Sequence, residues 1–371
     1  MAQTPKATPK RVKSDDEKRM EALANTQTSL DKAFSDKLLP SPNHKLYFEF
    51  VKLLKTRPDM EGGSIPNLGI AYYCLSRSVS SVKYDYHELT SAIFAFDWLK
   101  PYYRFSIESY CRCMTTLVNA DTHFLGEALK SLCRAFLLPD SDKDTPPVTP
   151  PTPSNASASL LLSPTRPNSA AFGPFTPEML VYPTPPTQVH RIVHHAIKRV
   201  LELVPASPSN LFDSLCSVHP YKTQPVTVMQ TFVRNLLWVS EYAHMLLDKI
   251  LSLIVEKLIY IDVEVISTGD GDDDGWDEDD GDDGLSGLLG DVKKAEEESS
   301  SKAMAEKVDA IMCLMFAYLE MIKPNDPRCV EIYESLVRVF ERMILKTTKS
   351  RFTQFLLFKY CGRHENHAKS F

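Results

Sequence analysis

Residues 225–265 read PVTVMQTFVRNLLWVSEYAHMLLDKILSLIVEKLIYIDVEV, and this stretch decides the fold. Val228, Phe232, Leu236 and Val239 recur at helical spacing, and Met229, Val233 and Leu237 widen the stripe. Thr227 is placed to cap this helix, with Gln230 three residues on completing a capping box. A polar break follows at Glu241–His244. The second helix carries Leu247, Ile250, Leu251, Ile254, Leu258 and Ile261 on one broad side, and Asp248, Ser252 and Glu256 on the other. So wide an apolar side needs neighbours on both flanks, which a lone hairpin does not supply. Stacked helix pairs are the expected solution.

The same period extends outward in both directions. In 371 residues no long run of alternating β-branched residues appears. Ser41 with Pro42 behind it is a helix start, and Leu46, Phe50, Leu53 and Leu54 follow in register. Further helices are expected near 65–79, 86–98, 102–118 and 122–138, with Asp121 capping the last. Val189, Ile192, Val193, Ala196, Ile197 and Val200 form the inner stripe of another. His190, Arg191, His194, His195, Lys198, Arg199 and Glu202 lie opposite. Pro205 stops it, and Ser209-Asn210 opens a short successor. Met304–Ile322, Cys329–Leu345 and Ser350–Cys361 complete the set.

Two segments interrupt this pattern. Residues 139–187 hold 13 of the 26 prolines and many Ser and Thr, too little apolar surface to offset ordering entropy. Residues 267–302 contain ten acidic side chains between Asp270 and Asp283. The expected organisation is therefore all-α: a HEAT-repeat-like helical solenoid with two disordered insertions. A polar, basic, mostly disordered arm occupies 1–38, in which Asp15–Leu39 can form a polar helix, and helical repeats occupy 39–138, 188–266 and 303–361. A disordered Pro/Ser/Thr-rich insertion covers 139–187, an acidic disordered loop 267–302, and an unstructured tail 362–371. A solenoid whose last pair is Cys329–Leu345 and Ser350–Cys361 presents an apolar outer face, which predicts lower stability or aggregation relative to a longer form.

The chemistry of common enzymes is missing from this pattern. There is no GxxxxGK[ST], GxGxxG or GxSxG, and aromatic residues sit at core spacing rather than between Lys and Arg. An enzyme is not expected, nor any cofactor. His190 and His194 lie one turn apart but lack the glutamate of HExxH, so they read as a solvent-side ridge and not a metal site. Asp270, Asp272, Asp274 and Gly275 match the first half of a calcium loop. Asp277 stands where an apolar residue belongs and Gly281 where the bidentate Glu belongs, so the match fails. The net charge of −6 resides in the acidic run, and direct sequence-specific nucleic-acid binding is not expected. No apolar run is long enough to cross a membrane. The eight cysteines fall mostly within apolar helical patterns without a CxxC pair, consistent with reduced core thiols.

Lys10, Arg11 and Lys13 form a cluster of the nuclear-import type, or else part of a solvated tail. Thr145, Thr149, Thr152, Ser163, Thr176 and Thr184 each precede a proline and are candidate sites for proline-directed phosphorylation. Composition alone also produces such dipeptides in a linker of this kind. Phosphate would add about −1.5 to −2 charges at each.

Several of these segments resemble the RNA polymerase I-specific transcription initiation factor family of TIF-IA type. The likeness rests on YHELTSAIFAFDW at 86–98 with its continuation over 106–136, and on IVHHAIKRVLELVPASP at 192–208. It rests further on the stretch from Val233 to Asp262, and on Met304–Phe358 with its ending ILKTTKSRFTQFLLF. It covers about Leu39 to Tyr360 outside the two insertions and stops near Cys361. The chain thus reads as roughly the first half of such a protein. The resemblance implies HEAT repeats, a nuclear and nucleolar location, and contact with the stalk region of RNA polymerase I. It implies bridging of the polymerase to the promoter-bound core factor at ribosomal DNA, controlled by phosphorylation. Ser207, followed by Pro208, matches the family's Ser/Thr-Pro turn and is the regulatory site it suggests. A turn that merely stops the helix is the alternative there. A generic HEAT-repeat scaffold of nuclear transport or trafficking is the competing reading of the whole chain.

Overall fold

The computed structural model describes residues 14–37, 45–55, 67–83, 86–140, 180–269, 284–322, 328–347 and 352–363. Helices and helical turns make up every regular element among them, with no strand. The chain divides into two compact units, one drawn from 1–131 and 154–203, the other from 132–153 and 204–371.

The first unit opens with α1 (Asp15–Lys37). Ser14 starts it through a reciprocal capping box: Glu17 N donates to Ser14 Oγ at 3.2 Å and Ser14 N to Glu17 Oε2 at 3.1 Å. Its apolar stripe is narrow, Leu23, Leu30, Ala33 and Phe34, but each of these is almost fully buried. Polar ties add to it: Gln27 donates to Ser78 Oγ at 2.7 Å, and Ser78 donates to Asp31 at 2.9 Å. The polar helix that Asp15–Leu39 can form is therefore present, and its apolar residues are packed. Two heptad-spaced leucines and a phenylalanine suffice once a neighbour receives them.

Helices α2 (Lys45–Lys55), α3 (Asn67–Arg77) and α4 (His87–Phe94) follow, then α5 (Arg104–Ala120). The cap expected of Ser41-Pro42 falls outside the described residues. Helix α5 is the centre of the unit, packing on α3 and on α7 (Pro186–Leu203). Gly69 lets α3 approach it: a Cβ there would meet Phe105 Cδ1 and Ser106 Oγ at 2.8 Å. Above this crossing lies an aromatic cluster, with Phe96 stacked on Tyr110 at 4.2 Å and on Tyr102 at 4.4 Å. Trp98 Nε1 donates to Ser131 O at 2.7 Å, so the cluster's one indole donor is satisfied. Asp121 caps the turn before α6 (Leu125–Cys133), accepting from His123 N at 2.9 Å, as its position predicts.

The chain reaches α7 along Val181–Thr184, held against Tyr102–Arg104. Arg104 N donates to Val181 O at 3.0 Å, and Thr184 N and Oγ1 both donate to Tyr102 O, at 3.1 and 2.9 Å. The described residues thus include 180–187 of the expected insertion, and Pro186 opens α7. His190 and His194 are buried, not on a solvent ridge. The exposed line is Arg191, His195, Lys198 and Glu202. The buried face is wider than the aliphatic stripe alone, and the two imidazoles supply the extra width.

In the second unit the turn Arg134–Leu137 buries Ala135 and Phe136 and packs on α9 (Val226–Tyr242). Asp140 extends this attachment, its N–H donating to Thr231 Oγ1 at 3.1 Å and its carboxylate paired with Arg234 at 3.0 Å. Helix α8 (Ser207–Ser217) precedes α9. Helix α9 starts at Val226, with the Pro225 carbonyl accepting from Val228 and Met229. The capping box expected of Thr227 and Gln230 is not used, because the helix begins one residue before its cap. A single helical turn, His244–Leu246, separates α9 from α10 (Leu247–Gly269). Next comes α11 (Gly284–Met321), which begins twenty residues before the expected start at Met304. Its first half holds Leu, Lys, Ala and Glu with no helical period, so composition favours helix where pattern is silent. Residues 270–283, the acidic run with its calcium-loop test, lie outside the described residues. Helix α12 (Arg328–Val339) runs into one π-helical turn, Phe340–Ile344, and α13 (Phe355–Arg363) closes the order.

Candidate interaction surface

Two of the phosphorylation candidates lie among the described residues, and both are buried. The Ser207 side chain is 0% exposed, its hydroxyl donating to Val204 O at 2.5 Å at the first residue of α8. The inter-helix break expected there exists, but the hydroxyl faces inward, so a kinase reaches it only when the Val204–Pro208 turn opens. Thr184 is held on Tyr102 as described. Thr145, Thr149, Thr152, Ser163 and Thr176, and Lys10, Arg11 and Lys13, lie outside the described residues. Among the described residues no group of three or more His, Cys, Asp or Glu is placed to hold a metal. No described helix is long and apolar enough to cross a membrane.

The structure instead brings together the stretches that carry the family likeness in the second unit. Helix α10 packs on α11 and α12, and α13 packs on both α11 and α12. Charged pairs tie the layers: Arg338 Nε donates to Asp248 at 2.9 Å, Arg328 pairs with Glu241, and Lys359 pairs with Glu320 at 2.9 Å. Asp262 is fully buried in α10, and its Oδ2 accepts from Phe352 N at 3.2 Å. The aspartate of the KLIYIDV segment thus fixes the start of the RFTQFLLF segment, 90 residues later in the chain. The 219–225 loop is pinned on the same block. Lys307, almost fully buried, donates to Lys222 O, while the Lys222 ammonium pairs with Glu264. Burial lowers the Lys307 pKa against the opposing pull of Glu264 and Glu306. Burial also lowers that of His219, whose ring packs edge-on against Phe232 at 5.2 Å. Tyr318, hydrogen-bonded to Ser240 at 3.4 Å, is pushed up to about 12, mainly by burial.

Between α11 and α13 lies an open, largely apolar cleft of about 390 Å³, lined by Asp309, Met312, Phe316, Phe352, Phe355 and Lys359. Phe352, Phe355 and Phe358 are 43%, 48% and 47% exposed. Their spacing, three apart, puts them along one line of the chain entering and forming α13. Sequence periodicity marks these rings as helical but not as outward-facing, because Leu356, Leu357 and Tyr360 fill the inward face of the same short helix. The feature has the chemistry of a contact surface: rings, a thioether and charges at the margins, without a convergent set of catalytic groups.

Stacked amphipathic helices, tied by part-exposed charge pairs and bordered by an exposed aromatic cleft, define a helical-repeat protein. The family model for the RNA polymerase I specific transcription initiation factor RRN3 matches residues 22–371, and the chain belongs to that family. The match begins within α1 and runs past Cys361, further at both ends than the likeness seen in the sequence. The chain is 31% identical over 189 residues to the RNA polymerase I-specific transcription initiation factor rrn3 of Schizosaccharomyces pombe, a match covering 44% of this chain and 32% of that one. It is 24% identical over 353 residues to the factor RRN3 of Mus musculus, covering 87% of this chain and 47% of the relative. It therefore spans about half the length of the mouse relative or less. A crystal structure of RNA polymerase I transcription initiation factor Rrn3 superposes with a TM-score of 0.62 at 17% identity, over 94% of this chain and 58% of that one. That agreement shows the helical-repeat fold.

Proposed function

We propose that this chain acts in transcription initiation by RNA polymerase I, through protein–protein contact and without chemistry of its own. The supporting observation is the family match over residues 22–371, joined to a surface built for contact. In this reading the protein binds the polymerase near its stalk and bridges it to the promoter-bound core factor at ribosomal DNA, in the nucleus and nucleolus. Phosphorylation tunes the contact by adding charge, with Ser207 the family-matched position. Because its hydroxyl is buried, modification there would act by preventing the Val204–Pro208 turn from reclosing.

The test is capture of RNA polymerase I subunits from nuclear extract by the tagged, folded chain. Enrichment of polymerase I over polymerases II and III is expected. A folded protein that enriches none of its subunits overturns the proposal and leaves the general scaffold reading. Ser207→Asp is expected to reduce capture. Unchanged capture removes Ser207 from the regulatory reading.

A further inference from the structure

No contact described above uses the basic run of α7. Burial of His190 and His194 splits that run and leaves Arg191, His195 and Lys198 as its exposed members. Positions i, i+4 and i+7 share one line of a helix, so the three stand in a row. A rise of 1.5 Å per residue sets Arg191 and Lys198 about 10.5 Å apart along the axis. The row has a rigid root, because Ile192, Val193, Ala196, Ile197 and Val200 of the same helix are buried. Its charge is uncompensated. In the first unit Lys100 is tied to Asp97, Arg104 to Glu108 and Arg199 to Glu202. In the second, Lys222, Arg234, Arg328, Arg338 and Lys359 each have a carboxylate. Among the described residues Arg191 and Lys198 have none. The excess also acts on His195. Burial holds its pKa below the ordinary 6.5, Lys198 and Arg199 act in the same direction, and Glu202 opposes them. The first unit as a whole holds 22 Lys and Arg against 17 Asp and Glu. Like charges along one helix face are destabilising, so the row serves no purpose within the fold itself.

We propose that the row Arg191–His195–Lys198 is a docking site for an acidic helix of a partner protein. Charge complementarity selects an acidic partner, and the dimensions select a helix. Asp or Glu side chains at i, i+4 and i+7 of a second helix repeat the same rise, so a helix lying alongside α7 meets all three positions at once. A nucleic-acid backbone fits less well. The row is one residue wide and ends at Glu202, and α7 has no Phe, Tyr or Trp on which a base could stack. The contact is exposed, so it is sensitive to salt and contributes more to orientation and association rate than to affinity. This inference does not rest on the polymerase reading: the row binds an acidic helix whether or not the chain captures polymerase I.

The probe is a labelled, Ala-rich peptide of about 18 residues, long enough to be helical alone, with Glu at i, i+4 and i+7 on one face and no other charge. Fluorescence anisotropy at low salt reads its binding to the full chain. Saturable binding is expected, weakened by added salt. Arg191→Glu with Lys198→Glu turns two attractions into repulsions and is expected to weaken binding about tenfold or more. Lys45→Glu with Lys100→Glu makes the same change in net charge at lysines already paired with Glu49 and Asp97, and is expected to leave binding unchanged. Thermal melting of each variant guards against misfolding, and Arg191→Gln with Lys198→Gln repeats the test without new charge. Absence of binding to the wild-type chain, or equal binding to the doubly reversed variant, overturns the proposal. So does equal binding of a peptide whose three glutamates are spread around the helix. A labelled DNA duplex that binds more tightly than the peptide, and is released by the same reversal, also overturns it, because the row is then a nucleic-acid contact.

Discussion

At Ser207 a short polar side chain does the work of a turn. Its hydroxyl satisfies the Val204 carbonyl in the turn between the end of α7 and the start of α8, where Ser207 is the first helical residue and Pro208 follows it. Ser207→Ala removes one hydrogen bond and is expected to cost about 1 kcal/mol. Ser207→Asp buries a charge without a partner and is expected to cost about 3 kcal/mol or more. Urea unfolding of the two variants measures the difference, and equal stabilities would mean that the turn opens freely. The Ser207-Pro208 turn was legible in the sequence; the inward direction of the hydroxyl was not, because it depends on how the turn packs against the rest of the unit. Asp262 shows the same limit from the other side. Its neighbours Ile261 and Leu258 marked it as part of a core helix, but nothing local indicates that it receives the Phe352 amide. The cysteines are a case where composition sufficed. Cys74, Cys111, Cys113 and Cys133 are buried, and burial pushes the Cys74 thiol up to about 12 and the other three higher still. Thiolate is the reactive form, so a disulfide reagent at pH 8 is expected to label Cys216 and Cys313, which are exposed, and to leave those four unmodified until denaturant is added. Mass spectrometry of the labelled peptides decides it.

At the scale of the helix, the elements with broad apolar stripes were legible and those that depend on a neighbour were not. Helices α9 and α10 fall where their period places them, to within a residue or two at most boundaries. Helix α1 reads in the sequence as a polar helix within a disordered arm, because Leu23, Leu30 and Phe34 make too thin a stripe to stand out, and its packing partners are α2 and α3. The α3–α5 crossing is itself set by a missing side chain. Gly69→Ala places a methyl group 2.8 Å from Phe105 and 3.0 Å from the Ser106 backbone, which cannot rotate away. A loss of about 1–3 kcal/mol is expected, despite the gain in helix propensity, and a higher melting temperature would contradict the geometry. The loop that joins α8 to α9 responds to pH. Burial holds the His219 pKa below its ordinary 6.5 in the folded chain, so the unfolded chain binds more protons as pH falls. His219 therefore favours folding least under acid: stability is undiminished above pH 6.5, falls as the pH drops through that value, and levels off below the folded pKa. Its ring faces Phe232, the Pro220 carbonyl, Lys257 and Glu256. His219→Gln is expected to flatten the change in denaturation midpoint between pH 7.5 and 5.5, and an unaltered slope would assign the acid sensitivity to other groups.

For the whole molecule the decisive quantity is apolar surface left in water. The period of the helices already implied an apolar outer face on the last pair, and the structure resolves that implication into particular rings: Phe352, Phe355 and Phe358, with Met321 and Leu345 also exposed. What no local pattern could show is that α11, whose first half has no helical period, forms the opposite wall through Met312 and Phe316. Exposure of this kind lowers solubility more than it lowers folding stability, because the rings contribute little to the core from which they point away. The two effects can be separated by substitution. Phe352→Asp with Phe355→Asp replaces surface residues, and such changes usually alter stability by no more than about 0.5 kcal/mol each. The doubly substituted chain is therefore expected to melt within a few degrees of the wild type, while its aggregation begins at a higher concentration and its binding of a hydrophobic dye falls. Light scattering against concentration, read beside the melting curve, measures both. A variant that aggregates as readily as the wild type would place the association elsewhere. A variant that melts far lower would show that these rings belong to the core, which their 43% and 48% exposure argues against.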